Sequence, residues 1–263
     1  MKRSLLVILV SIFVVTLTSV AVFADDAKSL VSVTANYWMP SFDAEVQITD
    51  LSVIGTTIDI VDDLGLDDSN SIPAINASVD LPFLPEILLS YFAIDDSATK
   101  NITKTLSYKG RNYAVADQLT SSYDITQFEA LLNFNIINMD AGKLGLVIGA
   151  KYFEVETELQ DKTLNFIASE SVEGPVPVVG VCGELKLPAK FKLGCLARGL
   201  SVEVSDVDAK MYDIEGALHY DFNKFFRASA GYRYFMIDAE DTKDKDSVDI
   251  KFAGPYVGIT GSF

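Results

Sequence analysis

The sequence predicts an all-β fold: a single closed antiparallel transmembrane β-barrel of about ten strands, with both termini on its periplasmic side. Three observations predict it. The chain is apolar and strongly charged at once, with 49% hydrophobic residues and a formal net charge of −16, and its mean hydropathy is +0.25. Beyond its N-terminal segment there is no uninterrupted apolar run of the ~20 residues that a spanning helix needs. Its long segments instead alternate apolar and polar residues with period two. Only helices and closed barrels satisfy every backbone group in lipid. A barrel reconciles the numbers, because its strands turn apolar residues outward and polar ones inward while its loops hold the charge.

The first segment, "MKRSLLVILVSIFVVTLTSVAVFADDAK", has the pattern of a secretory signal peptide. Lys2 and Arg3 precede an apolar run, and Val22-Phe23-Ala24 precedes Asp25 and Asp26. The run is long enough for an uncleaved anchor, but the small-residue step followed at once by two aspartates favours cleavage after Ala24. Residues 1–24 are therefore set apart as the leader, and 25–263 are expected to form one barrel domain without linker or repeat.

Four runs show the alternation most clearly. In "SYDITQFEALLNFNII", Thr126, Phe128, Ala130, Leu132, Phe134 and Ile136 share one face, against Gln127, Glu129, Asn133 and Asn135. In "KLGLVIGAKYF", Leu144, Leu146, Ile148, Ala150 and Tyr152 oppose Gly145, Gly149 and Lys151. "AKMYDIEGALHYDF" sets Tyr212, Ile214, Leu218 and Tyr220 against Asp213, Glu215, His219 and Asp221. "FRASAGYRYFM" sets Phe226, Ala228, Ala230, Tyr232 and Tyr234 against Arg227, Ser229, Gly231 and Arg233. The expected strands are 29–48, 72–82, 86–97, 118–137, 142–158, 164–186, 190–205, 209–222, 226–238 and 248–263. Short connections at 82–86, 138–143, 187–190 and 222–225 alternate with longer or more acidic ones, as the periplasmic turns and outer loops of such barrels do. The last strand, ending "GPYVGITGSF", closes the barrel against the first and removes the unpaired edge.

The stretches "ANYWMPSFDAEV", "DDLGLDDSN", "SVDLPFLPEILLSY", "AKMYDIEGALHYDF" and "FAGPYVGITGSF" occur in this order along the mature chain. In them the sequence resembles a family of small outer-membrane β-barrel proteins of Gram-negative bacteria that have no assigned function. The resemblance implies a bacterial outer-membrane location, contact with outer-membrane lipid and lipopolysaccharide, and Phe263 as a C-terminal signal for the outer-membrane assembly machinery. It brings no catalytic residues with it.

Chemistry is sparse. His219 is the single histidine and lies three residues from the turn at Phe222, at the periplasmic end. Omptin-like barrel proteases use Asp and His at the outer face, so this position argues against an enzyme and for a histidine bonded to a lumen neighbour. Zinc needs three or four suitable ligands, no phosphate-cradling glycine loop is present, and neither a metal nor a cofactor is expected. A surface this acidic excludes nucleic acid as a partner. The candidate metal ligands are Asp62, Asp63, Asp67 and Asp68 in the first loop, set against a solvated acidic surface.

The lumen is more informative. A three-residue loop at 223–225 puts Glu215 opposite Arg233 and His219 opposite Ser229. A shifted register puts Asp213 opposite Arg233 and His219 opposite Arg227. Either way acids face arginines, and Glu129, Lys151 and Arg198 are placed to join them. This network is read as a side-chain plug, against a charged constriction for a small solute. The expectation is a monomeric barrel with a structural or interaction role; the alternatives are a narrow pore or transporter and, more remotely, an outer-membrane enzyme. Finally, a turn centred on Pro188-Ala189 puts Cys182 directly opposite Cys195, on the lipid face, with Arg198 in the lumen. The pair is then within reach of a disulfide, or is two neighbouring thiols.

Overall fold

The computed structural model describes residues 29–47, 49, 56–103, 105–108, 111–113, 118–162, 166–204, 206–241, 243 and 245–263. The leader expected over 1–24 lies outside them. Fourteen strands are present among the described residues: β1 Val31–Trp38, β2 Ser41–Gln47, β3 Ile58–Asp59, β4 Ile72–Val79, β5 Glu86–Asn101, β6 Leu106–Tyr108, β7 Arg111–Tyr113, β8 Gln118–Met139, β9 Gly142–Asp161, β10 Phe166–Lys186, β11 Phe191–Val204, β12 Val207–Asp221, β13 Phe226–Asp241 and β14 Asp246–Ser262. β6 and β7 form a small hairpin of their own. β1 and β2 run along the same partner, β14, in one continuous register, so they are one barrel strand interrupted at Met39-Pro40. Pro40 has no N–H to give the ladder. Counted so, the barrel has ten antiparallel strands, and it closes where β1 meets β14.

The seam at β1–β14 shows why it closes. Its lumen side is a ladder of small polar groups: Ser32 Oγ lies 2.9 Å from Ser262 Oγ, and Thr34 Oγ1 lies 2.8 Å from Thr260 Oγ1. Its outer side is apolar, with Val257 and Ile259 exposed.

The barrel consists of two halves of opposite character. Near the short turns the outer face is apolar and the lumen polar. On β8 the outward residues there are Phe128, Leu132, Phe134 and Ile136; on β9 they are Leu144, Leu146, Ile148 and Tyr152. Toward the long loops the faces exchange. The outward residues become Ser122 and Asp124 on β8, and Glu154, Glu156 and Glu158 on β9, while Leu119, Tyr123, Ile125 and Leu159 are buried inside. The switch falls between Met39 and Ser41, Ala93 and Asp95, Thr126 and Phe128, Tyr152 and Glu154, Met236 and Asp238, and Lys251 and Ala253. The cross-strand pairs Ala93–Thr126, Thr126–Glu154 and Ser41–Ala253 join these steps around the wall. An apolar outer segment such as Phe128–Asn138 has the ~9–11 residues a tilted strand needs to cross a bilayer. The other half is a water-facing extension with an apolar core.

That core closes the loop end. Trp38, Phe42, Phe92, Phe153, Phe235 and Phe252 are all buried. Phe42 and Phe252 stack with centroids 4.8 Å apart, and Trp38 meets Phe92 edge-on at 6.1 Å. Above them the segment after β3 folds inward, burying Leu64 and Leu66. Asp59 Oδ1 accepts from the Val61 and Asp62 N–H groups at 2.9 and 2.7 Å, and Gly65 takes a left-handed φ of 79° to complete the turn.

One register differs from the expectation. Cys182 pairs with Leu196, and Cys195 pairs with Gly183. The connection is a three-residue loop, Pro188-Ala189-Lys190, closed by the Leu187 N–H donating to the Phe191 carbonyl at 2.8 Å. Ala189 and Lys190 both adopt left-handed φ, 58° and 66°. The extra loop residue moves the pairing by one, and a one-residue slip sends a side chain to the other face. Arg198 is in the lumen and Cys195 is outside, as expected. Cys182 points inward instead, and both thiols are free, so the expected pairing and its disulfide are corrected.

Candidate functional site

The membrane half of the lumen holds two charged layers. The deeper one adjoins the aromatic core. Lys151 and Glu129 are directly opposite across β9 and β8 and form an ion pair. Arg198 and Asp213 are directly opposite across β11 and β12, with Nη2 3.0 Å from Oδ2. The longer reaches cross the lumen: Lys151 Nζ lies 2.7 Å from Asp213 Oδ2, and Arg198 Nε donates to Glu129 Oε2 at 2.8 Å. Arg233 donates twice to Asp213, from Nε at 2.9 Å and Nη2 at 2.7 Å. Arg198 Nη1 donates to Glu215 at 3.1 Å. Lys151 Nζ also donates to Gln127 Oε1 at 3.2 Å. Three acids thus face three cations, and all but Glu215 are buried. The aromatic core covers the layer: the Arg233 guanidinium carbon is 4.8 Å from the Trp38 ring centroid, and Lys151 Nζ is 5.8 Å from that of Phe235.

The sequence placed eight residues in one lumen network. The structure brings six of them together in this layer and leaves His219 and Arg227 nearer the short turns. The Glu215–Arg233 and His219–Ser229 registers are the ones observed. His219 Nδ1 is 2.7 Å from Ser229 Oγ, and its Nε2 lies against Gly194. Arg227 joins Asp221, which the alternation had put on the polar face, and two residues outside the expected network, Glu184 and Lys192. Its Nε donates to Asp221 at 2.6 Å and its Nη1 to Glu184 at 3.2 Å, while Lys192 Nζ is 2.9 Å from Asp221. A second pair, Lys143 with Glu86 at 3.7 Å, stands beside Asn133, whose Nδ2 donates to Glu86 at 2.8 Å. The signal for these residues was present: each is a charge at a lumen position of a strand, within a few residues of a short turn.

Between these groups the lumen opens into a cavity of about 650 Å³. Ser29, Lys186 and Asn223 line it, so it opens at the short-turn end, where Leu30 and Ser262 also border it. Its inner lining includes Glu215 and Tyr256. At the other end of the barrel, Asp62, Asp63, Asp67 and Asp68 serve the loop fold. Asp63 Oδ2 accepts from the Asp59 N–H at 2.9 Å, and the Asp67 N–H donates to Asp96 Oδ2 at 2.9 Å. Among the described residues, no three His, Cys, Asp or Glu side chains are grouped to hold a metal ion.

No protein-family model matches the sequence, and no curated protein matches it. Solved structures do share its fold. The outer membrane protease OmpT from Escherichia coli aligns over 88% of this chain and 97% of its own, with a TM-score of 0.56 and 10% identity. The translocator domain of the autotransporter NalP from Neisseria meningitidis aligns over 97% and 96%, at TM-score 0.43 and 12% identity. Ail of Yersinia pestis aligns over 90% and 100%, at TM-score 0.35 and 9% identity. At 10% identity the likeness to OmpT is one of fold: the chain is a ten-strand barrel of the outer-membrane type.

Proposed function

We propose that the protein is an integral outer-membrane β-barrel with a side-chain-filled, non-conducting lumen, and that it acts through binding and its surfaces rather than by transport or catalysis. The carrying observation is the pair of stacked layers: six charges that balance one another, covered by six packed aromatic rings. Moving an ion through them requires separating buried ion pairs, each of which costs several kcal/mol once one partner is lost. The apolar belt supports a position in lipid, and the alternation of short turns with longer acidic loops supports short turns toward the periplasm and the acidic extension outward.

The reading as a non-enzyme rests on the single histidine, held on Ser229 with its other nitrogen against Gly194 rather than on an orienting carboxylate. The second reading, a narrow solute path, draws support from the open cavity at the short-turn end. Planar-bilayer recording of the refolded mature protein separates the two. Absence of discrete conductance steps is the expected result; steps of constant amplitude, enhanced by Asp213→Ala, would establish the pore instead.

A further inference from the structure

We propose that the cavity at the short-turn end is a binding site for a neutral, polyhydroxylated solute of mono- to disaccharide size. The proposal rests on the closed-lumen reading, which makes the cavity a blind cup with the charged layer as its floor.

The cup is kept open by composition. Its lumen positions include Gly194, Ala217, Ser229, Thr260 and Ser262, whereas the other half of the same lumen is filled by Trp38 and five phenylalanines. A barrel built only for closure would be filled along its whole length. The volume of about 650 Å³ is within the ~300–1,000 Å³ usual for small-ligand sites.

The chemistry of the walls selects the ligand. One arc carries uncharged hydrogen-bonding groups: Ser32, Thr34, Asn36, Asn76 and Ser78 on β1 and β4. The facing arc carries charges of alternating sign on five consecutive strands: Lys143, Glu184, Lys192, Asp221 and Arg227. Those charges already pair with one another or with Glu86. On this arc an anionic or cationic solute would have to break such a pair and strand its partner. A hydroxyl need not, because it donates to a carboxylate and accepts from an ammonium or guanidinium at the same time. A sugar offers several hydroxyls and fits both arcs. Carboxylates, amides and hydroxyls on converging strands give it the directional bonds that a hydrophobic pocket lacks.

Isothermal titration of the refolded full mature chain in detergent micelles tests this. The probes are sucrose and N,N′-diacetylchitobiose, with glycylglycine and sodium acetate as charged counterparts of similar or smaller size. Saturable binding of at least one saccharide and none of the charged solutes is expected. Ser78→Trp, which fills the cup, and Asp221→Asn, which removes an acceptor without adding bulk, are each expected to weaken binding about tenfold or more, roughly 1.4 kcal/mol. Heat-modifiable migration checks that each variant folds. The proposal is overturned if neither saccharide binds, if the charged solutes bind as well as the sugars, or if folded Asp221→Asn binds like the wild type. Bilayer recording of the same sample keeps the two readings apart: conductance with sugar binding sinks the closed lumen alone, and silence without sugar binding sinks the cup alone.

Discussion

Arg233 sits directly opposite Glu215 across the β12–β13 ladder, yet it bonds to Asp213, two residues away, through both Nε and Nη2. Diagonal neighbours in an antiparallel pair are within reach of a long side chain. The choice makes Asp213 the hub of the layer, since it also meets Arg198 and Lys151. Removing its charge leaves three cations in a buried site with two acids. Asp213→Asn is therefore expected to lower stability by about 3–5 kcal/mol, read as the shift in urea unfolding in phospholipid vesicles. A loss below about 1 kcal/mol would mean that the layer behaves like a set of solvated surface pairs.

The cysteines give a prediction of opposite sign to the one their spacing suggests. Cys182 faces the lumen cup and Cys195 the exterior, so no intramolecular bridge is expected even after oxidation. Migration on denaturing gels should be identical with and without reductant. A charged, water-soluble methanethiosulfonate should reach Cys182, and a bilayer-soluble maleimide should reach Cys195. Intact-mass detection of a two-hydrogen loss in the monomer would overturn the observed register.

Strand number, strand bounds and closure at the C-terminal strand were legible because each is a local pattern. Period-two runs define a strand, and a turn fixes its partner. The same logic placed Arg198 inside and left two registers for Arg233, opposite Glu215 or Asp213, of which the first is observed. It failed at Cys182 because the parity of a hairpin depends on whether Lys190 is loop or strand, and its left-handed φ of 66° leaves no mark in composition. The hub role of Asp213 was not legible for a different reason. Its contact with Lys151 crosses the lumen between strands that are not neighbours, and only the closed barrel brings them together. The exchange of faces was written in the sequence, at Thr126–Phe128 and Tyr152–Glu154, but following one face along the whole strand averages it away. It also explains why "EILLSYFAI" alternates poorly: Leu89 and Tyr91 face outward in the membrane half, while Phe92 and Ile94 face the apolar core.

Phe263 closes the seam with its backbone as well as its ring. Its carbonyl accepts from the Leu30 and Val31 N–H groups at 2.8 and 3.2 Å, and its N–H donates to the Val31 carbonyl at 2.8 Å. Deleting it is expected to reduce the amount recovered in the outer-membrane fraction more than Phe263→Ala, which keeps those bonds. Equal losses would assign the effect to the aromatic side chain alone, and wild-type recovery of the deletion would remove the residue from assembly altogether.

The exchange of faces predicts where a charge is tolerated on the outside of one strand. Leu132 and Asp124 lie on the same outward face of β8, eight residues apart. On an ordinary amphipathic strand both would meet the same medium. Here Leu132 lies within the apolar belt, and Asp124 lies past the switch at Thr126, beside Glu156 and Asp95. An arginine near the bilayer midplane costs about 2–4 kcal/mol and one near the interface about 0–1 kcal/mol. Leu132→Arg is therefore expected to lose about 2–4 kcal/mol in vesicle unfolding. Asp124→Arg is expected to lose less than about 1 kcal/mol, since it exchanges one solvated charge for another next to two carboxylates. The same contrast should separate Ile148→Arg from Glu156→Arg on β9. Reversing the aqueous half in this way also replaces acids by cations without touching the lumen. If Asp124→Arg and Leu132→Arg prove equally costly, the belt extends over the whole strand and the loop-side half is not a water-facing extension.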